Sequence, residues 1–293
     1  MSERARAFVP GHVTGFFSVV RTDDPTTTGS RGGGIALSDG VRVTVEPAPE
    51  TTMTIDGRTV QIEAVERVLD ALEVEATVIG ETNLPIGAGF GVSGAMALGT
   101  ALAGNAVFDR RLSRDELVTV AHGAEVQAET GLGDVVAQAA GGLTLRLEPG
   151  DPTENRLDAI PARSRVEYVT FGELDTATVI GGDTDRLTRA GEQALSTVVG
   201  EPTVEQFMYA SRRFAREADL LTDKVRDVIT DVAAVDGEAS MAMLGETVFA
   251  LGEGLSAAGY DPQVCQIDPA GATLVEDGSP GDAIIGRSAD GSE

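Results

Sequence analysis

The stretch "NLPIGAGFGVSGAMALG", residues 83–99, sets five glycines, a proline and a serine beside a small, apolar, alanine-rich run. No other segment restricts the fold as strongly. Before it, "EATVIGE" (75–81) has strand character, and Ala95 to Phe108 reads as a helix of small residues packed closely against its neighbours. A strand, a glycine turn and a helix in that order converge main-chain N–H groups at a helix N-terminus, where partial positive charge favours phosphate. One glycine would serve a tight turn built only for packing. Gly87, Gly89, Gly91 and Gly94 together point to an anion. Ser93 adds a hydroxyl for a phosphate or a phosphate-bound Mg²⁺.

Two common phosphate motifs fail here. "GFGVSG" (89–94) satisfies G-x-G-x-x-G, but a dinucleotide site needs a second strand after the first helix. Instead, "SRDE" (113–116) opens another helix with a capping box, Ser113 as N-cap and Glu116 at N3, and Pro85 separates the loop from its strand. A Walker A loop needs Gly-Lys-Ser/Thr, and the sole lysine, Lys224, lies far away.

Along the rest of the chain, "GVRVTVEP" (40–47) alternates as a strand, and "TMTIDGRTVQI" (52–62) holds Asp56-Gly57 between two strand-like runs, a hairpin signal. "EAVERVLDAL" (63–72) has apolar residues at helical spacing, and the capped helix runs to about Glu129. "TGLGDVVAQAAGG" (130–142) is a second glycine-punctuated loop with a short helical core, followed by the strand "LTLRLEP" (143–149). The polar, proline-bearing segment 150–165 is the expected domain boundary. Beyond it we expect strands near 166–171 and 176–181, helices near 186–198, 203–219, 222–235 and 244–258, a strand pair around 263–276, and a frayed tail.

The 293 residues carry 47 acidic and 22 basic side chains, a formal net charge of -25. Such a surface repels nucleic acid and anionic membranes, and its self-repulsion is best tolerated in concentrated salt. We read it as salt-adapted, with an acidic binding patch as the alternative. Hydrophobic content of 42% favours folding over disorder. Cys265 stands alone, which excludes an internal disulfide and disfavours a cysteine-based zinc site. No window reaches the roughly 18 apolar residues that span a bilayer, so a cytoplasmic protein is expected.

"LPIGAGFGVSGAMA" resembles the second motif, P-x-G-x-G-x-x-S-[SG]-A, of the GHMP kinases, in which this loop wraps the ATP phosphates. Within that family, "VPGHVTGFFSV" (9–19), "GSRGGGIAL" (29–37), "GLGDVVAQAAGG" (131–142) and "MAMLGETVFALG" (241–252) are most similar to the archaeal pantoate-kinase branch. The likeness runs nearly end to end. It implies an α+β, two-lobed fold: a ribosomal protein S5 domain 2-like N-terminal lobe (1–152), a ferredoxin-like C-terminal lobe (160–285) and a tail (286–293). It also implies ATP and Mg²⁺ as cofactors, pantoate as the small-molecule partner and a homodimer. Homoserine, mevalonate or a non-catalytic nucleotide-binding regulator remain as alternatives.

Phosphoryl transfer to an alcohol needs a metal on the triphosphate and a group to orient or deprotonate the hydroxyl. By resemblance, Pro85, Gly87, Gly89, Gly91, Ser93 and Gly94 hold the nucleotide, Ser93 and Glu125 the metal, and Asp134 the substrate hydroxyl. Glu129 competes with Glu125; Asp134 alternatively reads as an N-cap. His122, one turn before Glu125, points toward the same site or lies on the helix surface, and His12 falls in the family's first motif. A substrate carboxylate wants an arginine fork, for which Arg146 is the first candidate, with Arg21 and Arg31 as alternatives. Thr184, in "GGDTD" (181–185), either reaches a substrate oxygen or belongs to a turn. The third family motif, normally glycine-rich, keeps only Gly245 here, so 241–252 either closes the site or is helix core.

Overall fold

A computed structural model describes residues 3–173 and 184–276. The chain opens with two long antiparallel strands, β1 (Ala5–Val20) and β2 (Gly29–Pro47), which form the spine of an eight-stranded sheet. The charged N-terminal segment is therefore the start of a strand whose apolar residues, from Val9 to Phe17, are buried. Asp56-Gly57 turns β3 (Thr52–Ile55) into β4 (Arg58–Thr59), as the hairpin signal predicts. Helix α1 (Glu63–Leu72) buries the expected apolar face, and β5 (Ala76–Thr82) returns to pair with both β2 and β3.

Helix α2 (Val92–Val107) follows the glycine loop and is buried on nearly every side, as befits a helix made of small apolar residues. It lies on β1 and β2 and packs against both α1 and α3 (Arg114–Gln127). The close approach depends on Gly99, where a methyl would collide with Val43. Helix α3 starts on the expected capping box, with both of its hydrogen bonds formed. Short α4 (Asp134–Ala140) leads into β6 (Leu143–Glu148), which pairs with the Gly32–Ile35 half of β2, so β2 branches between β5 and β6.

The segment 150–165 is not wholly irregular: β7 (Arg156–Ile160) extends the first sheet by pairing with β6. β8 (Arg165–Glu173) then begins a second, four-stranded antiparallel sheet, while the strand expected near 176–181 lies outside the described residues. Helices α5 (Asp185–Gly200), α6 (Val204–Glu217) and α7 (Asp223–Ala233) occupy the expected positions. Phe207 and Phe214 of α6 meet Phe16 and Phe17 of β1, ring centroids 5.8 and 5.7 Å apart, locking the helices onto the first sheet.

The helix expected over 244–258 is instead a hairpin, β9 (Glu238–Ala242) and β10 (Gly245–Leu251), followed by a single helical turn, α8 (Gly254–Ala257). Thr247, Val248 and Phe249 suit the buried central strand, and Leu244 turns the chain at φ 68°. The final strands do not pair with each other. β11 (Gln263–Gln266) joins the second sheet, whereas β12 (Thr273–Val275) crosses back to pair with β1.

Candidate active site

The glycine loop between β5 and α2 borders a cavity of about 400 Å³. Gly89 and Gly91 adopt φ of 86° and 65°, which L side chains rarely take. Gly89 also lies so close to the β9–β10 turn that a methyl there would sit 2.8 Å from the Met243 carbonyl. Gly91 is the N-cap of α2 and offers no capping side chain, and the first-turn residues Val92, Ser93 and Gly94 border the cavity.

The third-motif segment closes against this loop. Thr247 Oγ1 donates to the Ala88 carbonyl at 3.0 Å, and Gly245 packs directly on the same carbonyl. Met243 N donates to the Thr14 carbonyl at 2.9 Å, and Met243 and Leu244 line the cavity. Strand chemistry, not helix packing, accounts for these residues.

On the opposite wall, Ser93 Oγ donates to Glu125 Oε1 at 2.5 Å and Thr130 Oγ1 donates to the same oxygen at 2.8 Å. Glu125 is 2% exposed, and no cationic side chain pairs with it among the described residues. Burial pushes its carboxyl up to about 7, against the lowering effect of the two hydroxyls, and the nearby Asp134 charge adds to the rise. Glu129 is not its helical neighbour: α3 ends at Gln127, and Glu129 takes φ 57° at the rim.

Asp134 is the first residue of α4, with Gly133 as N-cap. Its carboxylate reaches His12, whose Nδ1–H donates to Oδ1 at 2.7 Å, and the Thr14 hydroxyl lies 3.4 Å from the same oxygen. Burial alone would raise the Asp134 pKa, but the His12 hydrogen bond and charge, Arg146 and Thr14 together hold it below the usual value. The His12 pKa is driven down by burial, although the Asp134 hydrogen bond and charge oppose the shift. Gly34 leaves space for the ring; a methyl there would collide with Nε2. A methyl at Gly131 would collide with Glu125 Oε2 and stand 3.7 Å from Asp134 Oδ2, so both carboxylates converge on that glycine.

Arg146 of β6 is fully buried beside this pair and lines the cavity. Its Nε and Nη1 have no hydrogen-bond partner among the described residues, and its pKa is lowered by burial although Asp134 opposes the shift. A buried guanidinium with spare donors at a cavity wall is a ready receptor for a planar anion.

The other candidates lie elsewhere. His122 is buried and its Nε2 bonds the Thr28 carbonyl at 2.9 Å, because its side of α3 packs on the chain before β2 and does not reach the cavity. Arg31 pairs with Glu148 at 2.7 Å, and neither it nor exposed Arg21 lines the cavity. Thr184 stands at the start of α5, off the cavity; residues 181–183 of its segment lie outside the described residues. Pro85 sits just before the lining residues Ile86 and Gly87. Sequence reasoning passed over Thr14, Ser30 and Leu132, which do line it. Thr14 had a signal: two residues from His12, it shares that face of β1.

Comparison with known proteins agrees with this geometry. Residues 60–142 match the model of the GHMP kinases N-terminal domain. A pantoate kinase of Methanospirillum hungatei is 35% identical over 85% of this chain and 88% of its own. One from Methanocaldococcus jannaschii is 31% identical over 83% and 91%. A solved structure described as a phosphotransferase related to the CoA biosynthesis pathway superposes with a TM-score of 0.84 at 29% identity, covering 93% of this chain and 98% of that one. These relatives show that the chain is a phosphotransferase that acts on a hydroxyl group. In particular, the chain belongs to the GHMP kinase family.

Proposed function

We propose that the protein transfers the γ-phosphoryl group of ATP to the primary hydroxyl of pantoate, giving 4-phosphopantoate on the way to coenzyme A. The observation that carries this reading is an ionised aspartate, Asp134, and a donor-rich buried arginine, Arg146, on one cavity with an uncapped glycine-loop helix. The named activity of the curated relatives supports the choice of acceptor.

In this reading the amides at Gly89–Gly94 and the start of α2 hold the ATP phosphates. Arg146 takes the pantoate carboxylate as a fork and aims the far hydroxyl at Asp134. Asp134 accepts the hydroxyl proton as the alcohol oxygen bonds to phosphorus and the bond to the ADP oxygen breaks. His12 holds the carboxylate in place through its hydrogen bond.

The site also suits Mg²⁺. Glu125 and Ser93 offer hard oxygen ligands, and among the described residues no cationic side chain pairs with the buried Glu125 carboxylate. When bound, the ion would neutralise charge on the triphosphate. No helix among the described residues is long and apolar enough to cross a membrane. We place the enzyme in the cytoplasm of a salt-adapted archaeon, free of nucleic acid and able to form a homodimer, on the strength of its acidic surface and its relatives.

The test is a coupled ADP-release assay in concentrated salt with pantoate, homoserine and mevalonate, with the product identified by mass. Turnover on pantoate is expected. Preference for another acid would overturn the substrate, and silence on all three would favour a nucleotide-binding regulator.

A further inference from the structure

Gln138 has no part in the chemistry above and does not line the cavity, yet it is fully buried. It lies on α4 one turn after Asp134, on the same helix face. Its Nε2 donates to the Gly91 carbonyl at 2.9 Å. That carbonyl also accepts the first helical bond of α2, from Ala95 N at 2.9 Å. The acceptor settles the amide orientation, since a turned amide would set two oxygens against each other. Oε1 is then left buried without a partner among the described residues, at a cost that an apolar residue of similar size would avoid.

The surrounding glycines fit this side chain closely. A methyl at Gly91 would lie 3.0 Å from Nε2, and one at Gly94 would lie 3.1 Å from Oε1. The main-chain carbonyl of Gln138 accepts Ala272 N at 2.9 Å, which ties the same residue to the returning C-terminal segment.

We propose that Gln138 is a positioning residue that sets the spacing between the Asp134 helix and the phosphate-binding glycine loop. Its effect on rate rests on the phosphotransferase reading, whereas its effect on the loop rests on this geometry alone. Helix α4 and the Gly91 N-cap are joined through one side chain. Losing the amide leaves the N-cap carbonyl with its α2 bond alone and lets the loop move relative to Asp134.

The experiment compares the parent protein with Q138M, which keeps bulk and removes the amide, and with Q138E, which sets a carboxylate against the Gly91 carbonyl. Three quantities are read: amide hydrogen exchange over 87–94 without nucleotide, ADP affinity by calorimetry, and steady-state kinetics with both substrates. In Q138M, exchange over the loop should quicken by about tenfold, ADP affinity should fall by a similar factor, and kcat should fall more than the KM for the acceptor rises. Q138E should be worse in all three. A folded Q138M whose loop exchange and ADP affinity stay within about twofold of the parent would overturn the proposal. If neither variant folds, Q138N, one methylene short of Gly91, decides by the same criterion. A parent without kinase activity would sink the functional reading, while exchange and ADP binding would still judge Gln138.

Discussion

His12 Nδ1 donates to Asp134 Oδ1 at 2.7 Å across 122 positions of sequence, joining the first strand of the large sheet to the helix that carries the carboxylate. The His12 hydrogen bond and charge, the charge of Arg146 and the Thr14 hydroxyl together outweigh the burial that would otherwise raise the Asp134 pKa.

Removing that donor should therefore be visible in the pH profile. In H12L the upward push of burial on Asp134 is less opposed, so the acid limb of kcat/KM should move to higher pH and kcat should fall by about tenfold or more. H12Q, which can still present an N–H, should recover part of the loss. An unmoved acid limb would remove His12 from control of Asp134.

Asp134 itself is tested by D134N, which keeps shape and loses the proton acceptor. Turnover should drop by roughly a hundredfold to ten-thousandfold, while ADP binding by calorimetry stays close to the parent. Full activity in D134N would exclude Asp134 as the base.

For Arg146, truncation to alanine should raise the KM for the acid well above any change in the KM for ATP. Equal effects would show that the guanidinium supports the cavity as a whole. Lysine at this site should rescue little, because a point charge does not replace a planar fork.

Glu125 links the site to stability. Its folded value of about 7 lies above the ordinary 4.5, so between those pH values the folded chain keeps a proton that the unfolded chain has released. Stability should then fall as pH rises through this window, by at most about 3 kcal/mol. E125Q should melt higher than the metal-free parent at pH 8, lose the Mg²⁺-dependent rise in Tm and lose activity. A parent Tm that is flat from pH 5 to 8 and indifferent to Mg²⁺ would contradict both roles.

Where Gly245 meets the glycine loop, the contact between the β9–β10 hairpin and the loop is backbone on backbone. A methyl at Gly245 would strike the Ala88 carbonyl, so G245A should cost about 1 to 3 kcal/mol and lower ADP affinity as the loop shifts. Chemical denaturation together with calorimetry reads both effects; a fully stable G245A with parent affinity would show that the turn merely rests nearby.

Much of this protein was legible in short windows. The capping box at Ser113 and Glu116, the Asp56-Gly57 turn, the apolar stripe of 63–72 and the glycine loop each act within a few residues, so their signals survive in sequence. The family motif carried Ser93, Glu125 and Asp134, and these do line one cavity. Local pattern misled at 244–258, where small and apolar residues fit a helix or a buried strand equally, and the second sheet decided between them.

Only the tertiary structure decided which distant groups meet. The branching of β2 between β5 and β6 brings Arg146 beside Asp134, and the position of α3 turns His122 away toward Thr28 while Glu125, one turn on, faces the cavity. Gln138 and the His12 pairing depend on how α4 sits against β1 and α2. Periodicity and capping are short-range, but the chemistry rests on strand register and helix packing over more than a hundred residues, where no local pattern encodes the outcome.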